Sequence, residues 1–494
     1  GHVCSHKADY SAYYKDSPIK LTPVVAPVIP DYSVNLKDFG GVCDGITSNT
    51  EAFAKAIAHL SQKGGGHLIV PEGMGLTGPI ALEENNDLHA ERGAFVLFSG
   101  NLNDYPLVDS SFEGLMVKRC QAPISAAGKK NISITGEGIF NGNGQKWRAL
   151  KRSKTTEGQW KKVTESGGVV GNNGNTWYPN ERIAYGNMNP DKITAEYIAD
   201  PDSLNAILHD FSRPNMVVLR DCENVLLKGV TFENSPAWNV HPLLCKNMII
   251  DGINIRNPWY AQNGDGLDLE SCTDVLLINT TFDVGDDAIC LKSGKDKPGR
   301  DRGVPTSGVI VDGCVVYHGH GGFVIGSEMS GGVKDVVCRN CSFDGTDVGL
   351  RFKSGRGRGG VVENIVIDGI NMYNIAGNAL VFNMYYGGKA PLDAKGNVIP
   401  DGSGVTPVAN EGTPLFHNIS MSHVYCNGAV KAAEFRGLPE MYVKNVTLTD
   451  CAFATDYGFD LNYVEGLKLE NVKIVPASGA PITQGDFVTD LQVK

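Results

Sequence analysis

Residues 224–236 read NVLLKGVTFENSP: an asparagine, an alternating apolar run, a glycine turn and a second short apolar run. The pattern returns at Asn247, Asp274, Gly308, Asp335, Asn364, Asn418, Asn445 and Gly466. Successive starts lie 23, 27, 34, 27, 29, 54, 27 and 21 residues apart, and the 54, twice 27, is expected to hold one diverged coil. Alternation sends every second side chain to one face. A unit this short cannot bury that face alone, so a repeat of this length points to stacking. The expectation is an all-β chain folded as a right-handed parallel β-helix, with coils about 4.8 Å apart. A β-sandwich would need frequent two-residue hairpin turns, which are scarce here.

Cys222, Cys245 and Cys272 each stand two residues before a repeat start. Stacked coils would align them as an internal ladder, so the 12 cysteines need no disulfide scaffold. Cys338 and Cys341 form a C-x-x-C without a second pair at metal spacing, and read as core residues.

The solenoid is prepared by TSNTEAFAKAIAHLSQ, residues 47–62, where Phe53, Ala56, Ile57 and Leu60 share one helical face behind the cap candidates Ser48, Asn49 and Thr50. Such a helix would cover the open end of the stack. Residues 1–34 read as a lead segment and 35–494 as a single β-helix domain. Residues 146–214 lose the repeat, are polar and rich in Lys, Asn and Trp, and read as a long insertion hanging from one coil.

Composition narrows the partners. The net charge of −11 over 494 residues disfavours nucleic acid and anionic membranes. No apolar run reaches spanning length, so no membrane insertion is expected. The first 18 residues carry no apolar stretch of signal-peptide kind, and a leader is expected to have preceded Gly1.

Four polar stations occupy consecutive coils. QNGDGLDLE supplies Asn263, Asp265 and Asp268; VGDDAICLKSG supplies Asp286, Asp287 and Lys292. YHGHGGFVIGS supplies His318 and His320, and GLRFKSG supplies Arg351 and Lys353. Steps of 21, 33 and 31 residues, from Asp265 to Asp286, Asp287 to His320 and His320 to Arg351, approximate one coil each. Carboxylates, imidazole and cations would therefore converge in one groove. Taken singly, an Asp-Asp pair is a solvated turn, an Arg-x-Lys an exposed strand face, and Asp268 a partner for turn amides. The ordered set is more specific than its parts. Adjacent Asp286 and Asp287 would point oppositely in a strand, so a break after Gly285 is expected to turn both into the groove.

That set resembles the pectin-degrading polygalacturonases, family 28 of the glycoside hydrolases. It is carried by Asn263-Gly264-Asp265, Gly285-Asp286-Asp287, Gly319-His320-Gly321 and Arg351-Phe352-Lys353, with NLKDFGGVCDGITSNTEAF (residues 35–53) and VPEGMGLTGPIAL (residues 70–82) similar to the opening coils. Gly264 and Phe352 depart from the commoner Thr and Ile. The resemblance implies inverting hydrolysis of α-1,4-linked galacturonic acid, with neither metal nor cofactor. Asp286 would be the general acid, Asp265 and Asp287 would activate water, and His320 would tune the acid. Asn263 would orient substrate or water, while Arg351 and Lys353 would bind a carboxylate. Inversion asks for carboxyl groups about 6.5–9.5 Å apart, and crowding pushes their pKa values apart so that one, expected to be Asp286, keeps its proton.

An anionic polysaccharide or oligogalacturonide is the expected partner. LKSGKDKPGRDRG and RFKSGRGRGG bring Lys292, Lys295, Lys297, Arg300, Arg302, Arg356 and Arg358 beside the carboxylates, as such a substrate requires. Lys292 is expected at the substrate, and Tyr385, with Tyr386, either to offer a sugar-stacking surface or to pack in the core. KSGKDKPGR is similar to bacterial exo-acting members of the family, and the 146–214 insertion with the basic loop could close one groove end. An exo-acting galacturonidase, secreted or periplasmic, is therefore expected. The alternatives are an endo-polygalacturonase or rhamnogalacturonan hydrolase; more distant are a calcium-dependent pectate lyase and a non-catalytic pectin-binding β-helix.

Overall fold

A computed structural model describes residues 9–112, 114–194, 196–386, 393, 395–398 and 407–494. Strands stack in parallel ladders along one axis, giving the right-handed parallel β-helix expected from the repeat. Each coil crosses three ladders. One runs through Glu223–Lys228, Lys246–Asp251 and Thr273–Ile278, and the next through Thr231–Glu233, Asn254–Arg256 and Thr281–Val284. The third is a separate 12-stranded sheet that includes Leu267–Glu270, Ile289–Lys292, Gly321–Ile325, Val348–Lys353 and Leu380–Asn383.

The repeat starts share one backbone conformation. Asn224, Asn247, Asp274, Gly308, Asp335, Asn364, Asn418, Asn445 and Gly466 all hold φ between 53° and 73°. Asn, Asp and Gly are the residues that tolerate this left-handed region, which explains why the pattern opens on them. The asparagines also bond from coil to coil: Asn247 Nδ2 donates to Asn224 Oδ1 at 3.0 Å, and Asn224 Nδ2 to Asn131 Oδ1 at 3.2 Å.

Inside, like residues stack. Leu269, Leu291, Ile325, Phe352, Phe382 and Phe435 occupy one inward column of the third sheet. Phe352 and Phe382 are parallel with centroids 4.3 Å apart, and Phe382 meets Phe435 at 4.8 Å. Phe352, the departure inside Arg-Phe-Lys, is thus part of an aromatic stack spaced like the coils, a packing change rather than a chemical one. The helix Thr50–Gln62 buries Ala52, Phe53, Ala56, Ile57 and Leu60 in the same core and caps the stack. Asn49 is its cap residue, but its side chain serves Val42 N–H and three carbonyls instead of the helix.

The 54-residue interval is one coil, contrary to expectation. Val361–Tyr373 pairs directly with Leu415–Asn427, so the extra length, which follows Leu380–Asn383, adds no coil between them. The insertion lies between Ile139–Asn141 and Val217–Arg220 and carries helices Glu157–Glu165, Glu181–Met188 and Pro201–Phe211 with a small antiparallel sheet. A second excursion escaped the pattern: the antiparallel hairpin of Leu107–Phe112 and Leu115–Cys120. The lead segment lies outside the stack, where Tyr10, Ile19 and Val24 cover Ile249, Leu276, Ile310 and Val337 on the outer face of the first ladder. Cys222, Cys245, Cys272, Cys338 and Cys341 are buried free thiols.

Candidate active site

All four polar stations reach one corner, where the chain leaves the second ladder and enters the third. The strand Thr281–Val284 ends before Gly285 and the next begins at Ile289, which is the expected break. A Cβ on Gly285 would lie 2.7 Å from the carbonyl oxygens of both Pro258 and Trp259, so the turn requires glycine. Asp265 precedes Leu267–Glu270, His320 precedes Gly321–Ile325, and Arg351 and Lys353 share the outer face of Val348–Lys353.

Asp265, Asp286 and Asp287 each place a carboxylate oxygen within 4.8 Å of the others. The two adjacent aspartates then diverge. Asp286 Oδ1 lies 3.2 Å from His320 Nδ1 and accepts the Asp287 N–H at 2.8 Å. Asp287 Oδ2 meets Lys353 Nζ at 2.8 Å, both side chains being buried. His320 Nε2 lies 3.9 Å from Asp347 Oδ2. Asn263 Oδ1 accepts a 2.7 Å bond from Arg213, whose other bonds go to the carbonyls of Pro236 and Gln262. Arg351 is partly exposed over the Tyr386 ring, 5.7 Å from its centroid, with no carboxylate partner among the described residues. The carboxylates stand closer than the expected 6.5–9.5 Å. Two oxygens bridged by one water at hydrogen-bond distance are about 4.5 Å apart, so this spacing still holds a single water between two of them.

The charge distribution differs from expectation. Burial, then the neighbouring Asp268, Asp286 and Asp287, push Asp265 well above the usual carboxylate range. Burial raises Asp286 too, but the hydrogen bond and charge of His320, with Lys353, outweigh it and leave Asp286 below its ordinary value. His320 is raised, chiefly by its bond to Asp286. These surroundings favour the neutral form of Asp265, the charged form of Asp286 and the imidazolium of His320, the reverse of the bias expected for Asp286. Asp268 was read as a turn residue; it is a fully buried strand residue, and neither carboxyl oxygen meets a donor N–H or O–H of a described neighbour. Burial pushes it up to about 8, against the opposing pull of the Lys292 charge.

Lys292 is not at a free surface. Its Nζ pairs with Glu328 at 2.5 Å and lies 5.2 Å over the Trp238 ring, buried on the outer face of the sheet. Tyr385 packs against the core and under Arg356, while Tyr386 faces Lys353 and Arg351. Tyr386, not Tyr385, is the ring offered to the groove. The basic loops are largely neutralised as well: Lys297 pairs with Asp301, Arg302 with Glu270, Arg356 with Glu440 and Arg358 with Asp296. Arg300 donates to the carbonyls of Gly357 and Arg358. Counting basic residues overstated the positive field, because a count cannot see partners.

On one side the groove ends against the insertion. A cavity of about 340 Å³ lies between Lys151, Lys154 and Tyr178 of the insertion and Trp259, Asn263, Asp286 and His320. The hairpin packs Gly114 on the backbone of Gly294 and Lys295. Arg119, near its base, donates to the carbonyls of Ser111 and Arg213.

A family model described as "Glycosyl hydrolases family 28" matches residues 208–401. A probable polygalacturonase from Vitis vinifera is 27% identical over 469 residues, 93% of this chain and 82% of that one. An exo-poly-alpha-D-galacturonosidase from Dickeya chrysanthemi is 27% identical over 77% of this chain, which spans 61% of that protein. The crystal structure of a hyperthermoactive exopolygalacturonase from Thermotoga maritima is 32% identical with a TM-score of 0.73, covering 93% of this chain and 95% of its own. A relative of that identity aligned end to end, on a shared fold, makes the chain a member of glycoside hydrolase family 28.

Proposed function

We propose that the protein is an exo-acting galacturonidase that hydrolyses α-1,4-linked galacturonic acid in polygalacturonate with inversion. The observation that carries the reading is the divergent pairing of three carboxylates within 4.8 Å, one on His320 and one on Lys353. Asp286 is the general acid: the imidazolium of His320 passes its Nδ1 proton across their 3.2 Å contact as substrate displaces water, and Asp286 delivers it to the glycosidic oxygen. Asp287, ion-paired with Lys353, takes the proton of the water that attacks the anomeric carbon. Asp265, which keeps its own proton, positions that water. Asn263, fixed by Arg213, orients the sugar, and the unpaired Arg351 binds a substrate carboxylate beside Tyr386.

The exo mode is supported by the insertion walling the groove beside Asp286 and His320 and by the exo-acting relatives in Dickeya and Thermotoga. A polymeric pectic substrate also favours a location outside the cytoplasm, secreted or periplasmic. Chromatography of polygalacturonate digests tests the reading. Monogalacturonate alone at the earliest times is expected; an early ladder of oligomers means endo action. An unsaturated, ultraviolet-absorbing product, lost with chelator, would instead identify a lyase.

A further inference from the structure

We propose that the insertion is a recognition element: Lys151, Lys154 and Trp259 form a subsite for the carboxylate and ring of a galacturonate residue beside Asp286 and His320. This rests on the exo reading, since it gives the closed groove end a ligand.

The cavity of about 340 Å³ has room for one sugar ring and contains one carboxylate, that of Asp286. Its cations are unspent. Neither Lys151 nor Lys154 pairs with a carboxylate among the described residues, whereas the lysine and arginine pairs after Lys292 and Lys353 cancel one another. Behind the lining stand two more unneutralised charges. Arg213 donates to two carbonyls and Asn263 Oδ1, and Arg148 to Ser235 O and Asn234 Oδ1, neither meeting a carboxylate. Burying positive charge without a counter-ion is unfavourable, so an anion entering this cavity is stabilised where a neutral sugar is not. Trp259 is 55% exposed, with Lys154 Nζ 5.0 Å above its ring, and Tyr260 stands edge-on to it at 5.8 Å. An exposed indole beside a cation offers what a uronate has: an apolar ring face and a charged edge.

The test is titration with sodium galacturonate and with galactose, followed by tryptophan fluorescence. The Trp259 component is obtained by difference from Trp259→Phe. A saturable Trp259 response is expected for galacturonate at least tenfold tighter than for galactose. Lys151→Met/Lys154→Met should weaken galacturonate at least tenfold and leave galactose unchanged, with Lys154→Arg close to wild type. Both lysines are exposed, so thermal melts of these variants should match the parent. Equal response to the two sugars, or an unchanged galacturonate Kd in the double variant, overturns the subsite. Its failure is separable from that of the exo reading: monomer release without Trp259 binding removes the subsite alone, and oligomer release with intact binding removes exo action alone.

Discussion

Asp287 and Lys353 stand 66 residues apart in sequence and meet at 2.8 Å, with both side chains buried. Each is the other's counter-ion, with little of either side chain exposed to solvent. Lys353→Met should therefore destabilise the fold by about 3 kcal/mol as well as depress kcat, because it strands a buried carboxylate. Denaturant midpoints and initial rates on polygalacturonate check this; a rate loss with an unchanged midpoint would make Lys353 a substrate ligand only.

Asp286 has a different exposure to risk. Its Oδ1 accepts a backbone N–H that asparagine can also satisfy, and its side chain is only partly buried. Asp286→Asn is expected to lower kcat by about 10³-fold or more with a melting temperature near wild type. Near-normal turnover would remove it from the acid role.

The pH profile should follow His320. Its bond to Asp286 raises its pKa above the ordinary 6.5, so the His320–Asp286 pair keeps its shared proton as pH rises past that value and loses it at the raised one. Stability from this pair is likewise complete below 6.5 and is lost as pH rises through the folded value; the depressed Asp286 adds stability that disappears at the acid end. His320→Asn should lower kcat and move the alkaline limb to lower pH. An unmoved limb in the variant assigns that limb to another group.

Asp268 offers a test with the opposite sign. Its pKa rises from 3.8 to about 8, so the unfolded chain releases this proton from about pH 4 while the folded chain holds it to about pH 8. Stability falls across that window. Asp268→Asn should remove the dependence, giving a variant that gains on wild type in urea unfolding as pH goes from 5 to 8. A constant difference across that range would show that Asp268 does not titrate there.

Lys292 should behave as a structural residue. Lys292→Met leaves Glu328 charged in a buried site and is expected to cost about 3 kcal/mol, while Lys292→Met/Glu328→Gln recovers most of it. KM for polygalacturonate should change little in the double variant. A KM increase there, with stability recovered, would return Lys292 to the substrate.

Local rules made much of this molecule readable. The Asn, Asp or Gly at each coil start is a backbone requirement written into the side chain, so register followed directly, while the coil count came out one too high in the 54-residue interval. The polar stations were legible because stacking turns spacing along the chain into adjacency. What escaped depended on partners several coils away. Lys292 and the basic loops are neutralised by Glu328, Glu270, Glu440 and Asp296, none predictable from spacing. Tyr385 and Tyr386 are neighbours in sequence, and only packing decides which one faces out. The Leu107–Cys120 hairpin and the extra length of the 54-residue interval interrupt the repeat, so a search for the repeat passes over them.

The lead segment bears on the order in which the protein is assembled. Its docking sites are made hundreds of residues after it: Tyr10 bonds Asp251, Val25 exchanges two bonds with Asn247, and the Tyr13 carbonyl accepts from Arg339. A chain emerging from the ribosome can stack its coils one upon another as they appear, but this first stretch has nowhere to go until the middle coils exist. Its docking is thus a late event that spans many coils at once. A solenoid that could otherwise grow piecemeal acquires a closing step, and an incomplete chain displays the bare apolar stripe of Ile249, Leu276, Ile310 and Val337 that marks it as unfinished.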